Sequence, residues 1–136
     1  MSRFIIGSTD LSAQINDKTA YEVNETSLFS SVTDANGDEH RNFYKTRVMG
    51  SFDMFFIDDT STPSTQSNDD PTLVSYATFL SLITNNSVNG LLTATVWVQN
   101  TATSKTLYCY PVLKMKRETE VNGKIVRIVT VTIEEK

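Results

Sequence analysis

The chain has one cysteine, one histidine and three prolines in 136 residues, and each scarcity removes a class of chemistry. A lone Cys109 allows neither an internal disulfide nor a thiolate metal cluster. Set between Tyr108 and Tyr110, it reads as a small strand residue. A cysteine nucleophile needs a base, and the only histidine, His40, sits in a distant turn-rich segment beside Glu39 and Arg41. Without a second histidine, zinc has no ordinary ligand set. No apolar run approaches the roughly 20 residues that cross a bilayer as a helix. The start, Met1 to Gly7, turns polar too soon for a signal peptide, so synthesis in a cytoplasm with no membrane partner is expected. Lys and Arg are scattered and outnumbered, giving a net charge of -4 and a pI near 4.9. No basic face is available to displace counterions from phosphates, which argues against nucleic acid as a partner.

What is present is a short-run apolar pattern in a chain 39% hydrophobic and 21% charged, the usage of one folded domain spanning residues 1–136. Phe4 to Ile6 and Ala20 to Val23 are brief strand candidates. Asn24 to Asn42 is rich in Ser, Thr, Asp and Asn around Asn36-Gly37, a turn signal, and is read as a long polar hairpin or an excursion from the sheet. From Phe43 to Ile57 the chain alternates, with Tyr44, Val48, Phe52, Met54 and Phe56 on one face and Lys45, Arg47, Ser51 and Asp53 on the other. Gly50, in mid-strand, marks a bulge, a bend or the close approach of another backbone.

Asp58 to Asp70 has no apolar residue and is read as a long polar loop with Pro63 at its centre. Asp70 as N-cap and Pro71 at the first turn then open a helix expected over residues 71–84. Its stripe is Leu73, Tyr76, Ala77, Leu80 and Ile83, widened by Phe79, while Val74 and Leu82 fall outside it.

The last third reads as a meander. Leu91 to Gln99 turns Leu92, Ala94, Val96 and Val98 to one face and Thr93, Thr95 and Trp97 to the other. Lys105 to Met115 runs back, and Pro111 places it at an edge or a bulge. Glu118 to Val121, Asn122-Gly123 and Lys124 to Glu134 form the clearest hairpin, with a type I′ turn. In its second strand Ile125, Val129, Val131 and Ile133 share the inner face with Arg127. The expected fold is therefore all-β, a sandwich or partly open barrel of about seven strands with one flanking helix.

Asp34-Ala35-Asn36-Gly37-Asp38 spaces oxygen ligands like the start of an EF-hand loop, but Glu39 stands where glycine is needed and Lys45 where a bidentate Glu is needed. A solvated turn accounts for it. Asp58, Asp59, Asp69 and Asp70 could pair carboxylates, yet their Ser- and Thr-rich surroundings supply no apolar wall to separate their pKa values. No catalytic, metal or cofactor constellation emerges, so a non-enzymatic role without cofactors is expected. Trp97, Tyr108 and Tyr110 could form a sugar-stacking platform, which makes a non-catalytic carbohydrate-binding module the alternative function.

The segment Arg47-Val48-Met49-Gly50-Ser51-Phe52-Asp53-Met54-Phe55-Phe56 resembles small proteins of the tail modules of tailed bacteriophages and prophages. There, too, an Arg precedes a Gly and an alternating strand. A short helix like Tyr76-Ala77-Thr78-Phe79-Leu80 follows, then a strand, then a tyrosine-bearing strand like Thr106 to Tyr110. An Asn-Gly hairpin with an acidic end like Glu134-Glu135-Lys136 closes the series, so the likeness covers residues 43–136. The segments Asn24 to Asn42 and Asp58 to Asp70 are longer than that pattern. The resemblance implies a virion structural protein, a building block of a tail tube, hub or distal ring located in the virion tail. Its implied partners are further copies of itself and other tail proteins, with no cofactor and no reaction. On that view Val74, Leu82, Asp58, Asp59 and Asp69 are assembly contacts.

Overall fold

The computed structural model describes residues 3–15, 21–61, 65–66 and 73–136, with side chains at all of these except 28–32 and 40–45. Eight strands lie among them: β1 Phe4–Ile6, β2 Thr9–Asp10, β3 Glu22–Thr33, β4 Glu39–Asp59, β5 Ser87–Val88, β6 Leu91–Val98, β7 Thr103–Val121 and β8 Lys124–Glu135. They form one antiparallel sheet in the order β2-β1-β6-β7-β8-β4-β3, with β5 added to β6. The one α-helix among the described residues, α1, spans Tyr76–Asn85. The all-β reading with a single helix holds.

The alternation that predicts strands also predicts their inner faces. Val48, Phe52, Met54 and Phe56 of β4, Leu92, Ala94, Val96 and Val98 of β6, and Val129, Val131 and Ile133 of β8 are all buried in one core. Phe52 joins the core's aromatics, stacking on Tyr21 at 5.2 Å and meeting Phe4 edge-on at 4.9 Å. The strands are staggered rather than flush. β4 pairs with β3 over residues 39–51 and with β8 over 49–59, so it hands the sheet from one neighbour to the other near Gly50. A Cβ at Gly50 would overlap the Glu22 carbonyl oxygen and lie 2.5 Å from Val23 Cα, so β3 passes where only glycine fits.

The sheet then rolls on itself. Asn100, just after β6, uses its side-chain amide as a one-residue strand: Glu25 N–H donates to Asn100 Oδ1 (2.8 Å) and Asn100 Nδ2 donates to the Glu25 carbonyl (2.7 Å). Lys105 of β7 adds an ion pair to Glu25 at 2.9 Å, which holds the Glu25 carboxyl below its ordinary range. Tyr21 ties the same seam, its hydroxyl donating to the Trp97 carbonyl at 2.7 Å, and burial pushes that phenol upward.

Three expectations are sharpened or changed. Of the two readings of Asn24 to Asn42, the hairpin is the one found, because residues 24–33 and 39–42 lie in β3 and β4 and pair with each other, and the turn is confined to the residues between. Asp34 closes that turn, accepting from the Asn36 and Asp38 N–H groups. Likewise, Lys105 to Met115 and Glu118 to Val121 are parts of one strand, β7, which absorbs an irregularity between Met115 and Arg117. Pro111 does lie at an edge, since β6 stops pairing with β7 at Cys109. The Asn122-Gly123 turn has φ of 51° and 77°, as a type I′ turn requires.

The third change is the helix. It begins at Tyr76 and is capped by Ser75, whose side chain accepts from Thr78 N–H. Asp70 and Pro71, the expected opening, and Asp69, expected as an assembly contact, lie outside the described residues. Phe79 is the anchor, fully buried against Phe56 at 5.0 Å. Ala77 and Leu80 of the expected stripe are exposed, while Val74 and Leu82, expected to be spare, pack against the chain's own core. The stripe is rotated about the helix axis because Phe79, the bulkiest apolar side chain, sets which face turns inward.

Candidate functional site

Two groups of side chains stand out, one inside the fold and one on its surface. The inner group follows from strand parity. On β4 the inward positions are Phe52, Met54, Phe56 and then Asp58, so the first acid of the expected loop is instead a strand residue and is fully buried. On β8 the inward series contains Arg127. The two meet with Arg127 Nη1 donating to Asp58 Oδ2 at 2.8 Å. Tyr76 N–H, at the start of α1, lies 3.3 Å from both Asp58 oxygens. The guanidinium stacks 5.3 Å from the Tyr76 ring centroid, and its other arm lies 3.8 Å from Glu118.

Burial raises the Asp58 carboxyl above its ordinary value, against the opposing pull of the Tyr76 N–H and of Arg127. A carboxylate at a helix N-terminus, with a cation beside it and no solvent exposure, is a structural anchor: it joins β4, β8 and α1. The next support is Gln14. This buried amide donates to the Phe55 and Val74 carbonyls and accepts from Val74 N–H, each at 3.0 Å, and so fixes the approach to α1. Reading Asp58 as an assembly contact is thus corrected, because the side chain has no surface to offer. Parity could have identified it, since Asp58 continues the inner series of β4.

The other candidates are dispersed. Asp59 ends β4 and accepts from Ser61 N–H and Oγ, a local turn. Cys109 is buried, and burial together with the nearby Glu135 charge pushes its thiol up to about 11, the opposite of an activated nucleophile. Among the described residues no group of three His, Cys, Asp or Glu side chains could hold a metal ion. No helix among them is long and apolar enough to cross a membrane.

The surface group lies on the outer face of β7. Tyr108 is 64% exposed, Tyr110 47% and Val112 59%, and nearby Val88 of β5 is 73% exposed. Tyr108 and Tyr110 line an open concavity of about 460 Å³ with Val88, Asn89, Thr93 and Lys136. Trp97 does not join them. Its register partner is Ser104, whereas Tyr108 lies across from Thr93, and the indole is half-buried against the core. A second, apolar hollow of about 250 Å³ opens between β7 and β8, lined by Arg117, Thr119, Val121, Val126 and Ile128. Val121 there is half exposed. Comparison with family models, curated proteins and solved structures finds no match for this chain.

Proposed function

We propose that the chain is a non-catalytic structural subunit that works by binding other protein chains, as the resemblance to phage tail-module proteins implies. One observation carries this reading: the row Tyr108, Tyr110 and Val112, with Val88 beside it, holds large apolar side chains in water on a sheet whose inner face is already filled. Contiguous exposed apolar surface of this kind marks an interaction site. The partners are further copies of the chain and neighbouring proteins of a virion tail.

The test is the mass of the purified protein in solution as concentration rises, with negative-stain images of the same samples. Discrete rings, tubes or closed oligomers are expected, and the double variant Tyr108→Glu/Val112→Glu should abolish the association made through the β7 face while leaving the circular dichroism of the fold intact. A monomer at every concentration, with no retention of a partner from the same particle, refutes the reading.

The paired tyrosines support a second reading, a carbohydrate-binding surface, because Tyr108 and Tyr110 flank a concavity that also holds the polar side chains of Asn89 and Thr93. Titration with a panel of oligosaccharides distinguishes it. Saturable quenching of tyrosine emission that Tyr108→Ala removes would promote this reading, and no response would end it.

A further inference from the structure

Among the described residues, each open edge of the sheet is protected except one. The free side of β7 beyond Cys109 carries Pro111, the charges Lys114, Lys116, Arg117, Glu118 and Glu120, and an irregularity beside Lys116. Those are the usual defences of an edge strand. The sequence of β4 over this stretch carries the charges Glu39, Arg41, Lys45 and Arg47, and the Val48 N–H is taken by Glu135 Oε1 at 2.9 Å. β2 and β5 are two residues long. β3 differs. From Thr26 to Thr33 it reads Thr-Ser-Leu-Phe-Ser-Ser-Val-Thr, with no charge, no proline and no glycine. It lies at the end of the strand order, and over these eight residues its only strand partner among the described residues is β4.

The limits of this stretch are set by structure. At Glu25 both backbone groups are occupied by Asn100, so nothing can add to the edge before Thr26. At Asp34 the chain enters the turn. Between these points residues 26–33 and 39–47 form a two-stranded ribbon that β8 does not reach, because β8 pairs with β4 only from Met49 onward. Two-stranded ribbons are marginal in water and gain stability from further strands. An uncharged, proline-free edge of this length is also the pattern that pairs with whatever strand it meets.

We infer that the Thr26–Thr33 edge is covered by the same edge of a second copy, running antiparallel about a twofold axis that places Ser30 opposite its own counterpart. Such pairing makes a four-stranded ribbon in the order β4-β3-β3-β4. Charge is what selects this occupant. A stretch with no charge meets no like-charge repulsion when reversed onto itself, and with Ser30 opposite its own copy every pair, out to Ser27 against Thr33, is uncharged. The charged edges of β7 and β4 would instead bury Lys and Arg groups against uncharged backbone. The contact is isologous and closes a dimer, which serves as the unit of further assembly. This inference rests on the assembly reading above and names its first contact.

The test uses the full chain and two variants, Ser30→Lys and Ser30→Glu, each placing like charges near the twofold axis. Sedimentation equilibrium of the native chain should show a dimer as its smallest oligomer, and each variant alone should dimerise at least about tenfold more weakly, the equivalent of a single close like-charge pair. Mixed in equal amounts, the two variants should recover the dimer, because Lys then faces Glu. Recovery on mixing also shows that both variants are folded. An oligomer that both variants leave intact overturns the β3 pairing and leaves the assembly reading standing. A monomer at every concentration of native chain overturns both.

Discussion

Replacing Arg127 by Met tests the inner anchor most directly. Met keeps much of the aliphatic length but removes the cation 2.8 Å from a carboxylate with no solvent exposure. It also removes the stack on Tyr76. Only the Tyr76 N–H would still face Asp58 within α1 and β8, and at 3.3 Å it is a long contact. Deleting one partner of a buried pair costs about 3–5 kcal/mol, because the remaining charge keeps its desolvation penalty without compensation. Against a total stability of about 5–15 kcal/mol for a domain of this size, that is a large fraction. With a urea slope of about 2 kcal/mol per molar, a loss of about 3 kcal/mol moves the unfolding midpoint down by about 1.5 M.

The pH dependence gives the reasoning a second, independent handle. In the native protein burial already raises the Asp58 carboxyl above its unfolded value. Loss of Arg127 removes one of the groups opposing that rise, so the folded carboxyl climbs further. A group with a raised folded pKa favours the folded state most at low pH, and loses that contribution as pH rises through the raised value. The deficit of Arg127→Met should therefore be full at neutral pH and shrink as pH falls through the range where Asp58 takes up its proton. The double variant Asp58→Asn/Arg127→Met should lose less than the two single losses added, with a coupling of about 1–3 kcal/mol. A loss below about 1 kcal/mol, or a deficit that does not change between pH 7 and pH 4, would refute the buried-pair argument.

Two further outcomes are expected. Gly50→Val should destabilise by about 3 kcal/mol or prevent folding, measured by thermal unfolding, because its Cβ collides with β3 backbone rather than with a movable side chain. Cys109 should resist iodoacetamide at pH 8 in the native protein and react fully in urea, since it is buried and its thiol is pushed up to about 11; rapid native alkylation counts against the packing described.

The sequence by itself determined most of the sheet. Alternation with period two assigns the inner faces of β4, β6 and β8, because successive side chains on a strand must point to opposite sides and only one side is buried. Asn122-Gly123 sets the last hairpin because both residues accept positive φ. Gly50 signals its own close contact. Arg127 appears on an inner face, yet its partner Asp58 lies 69 residues away and looks like the opening of a polar loop. Only the tertiary structure joins them, because the pairing depends on β4 and β8 becoming neighbours. The helix start was decided in the same way. Asp70-Pro71 is a good local opening, but Gln14 takes both backbone groups of Val74, Ser75 caps Thr78, and the Asp58 carboxylate waits at Tyr76 N–H. Local propensity is worth about 1 kcal/mol per cap. The contacts from Gln14 and Asp58, which come from other parts of the chain, outweigh it, and they exist only once the sheet has closed.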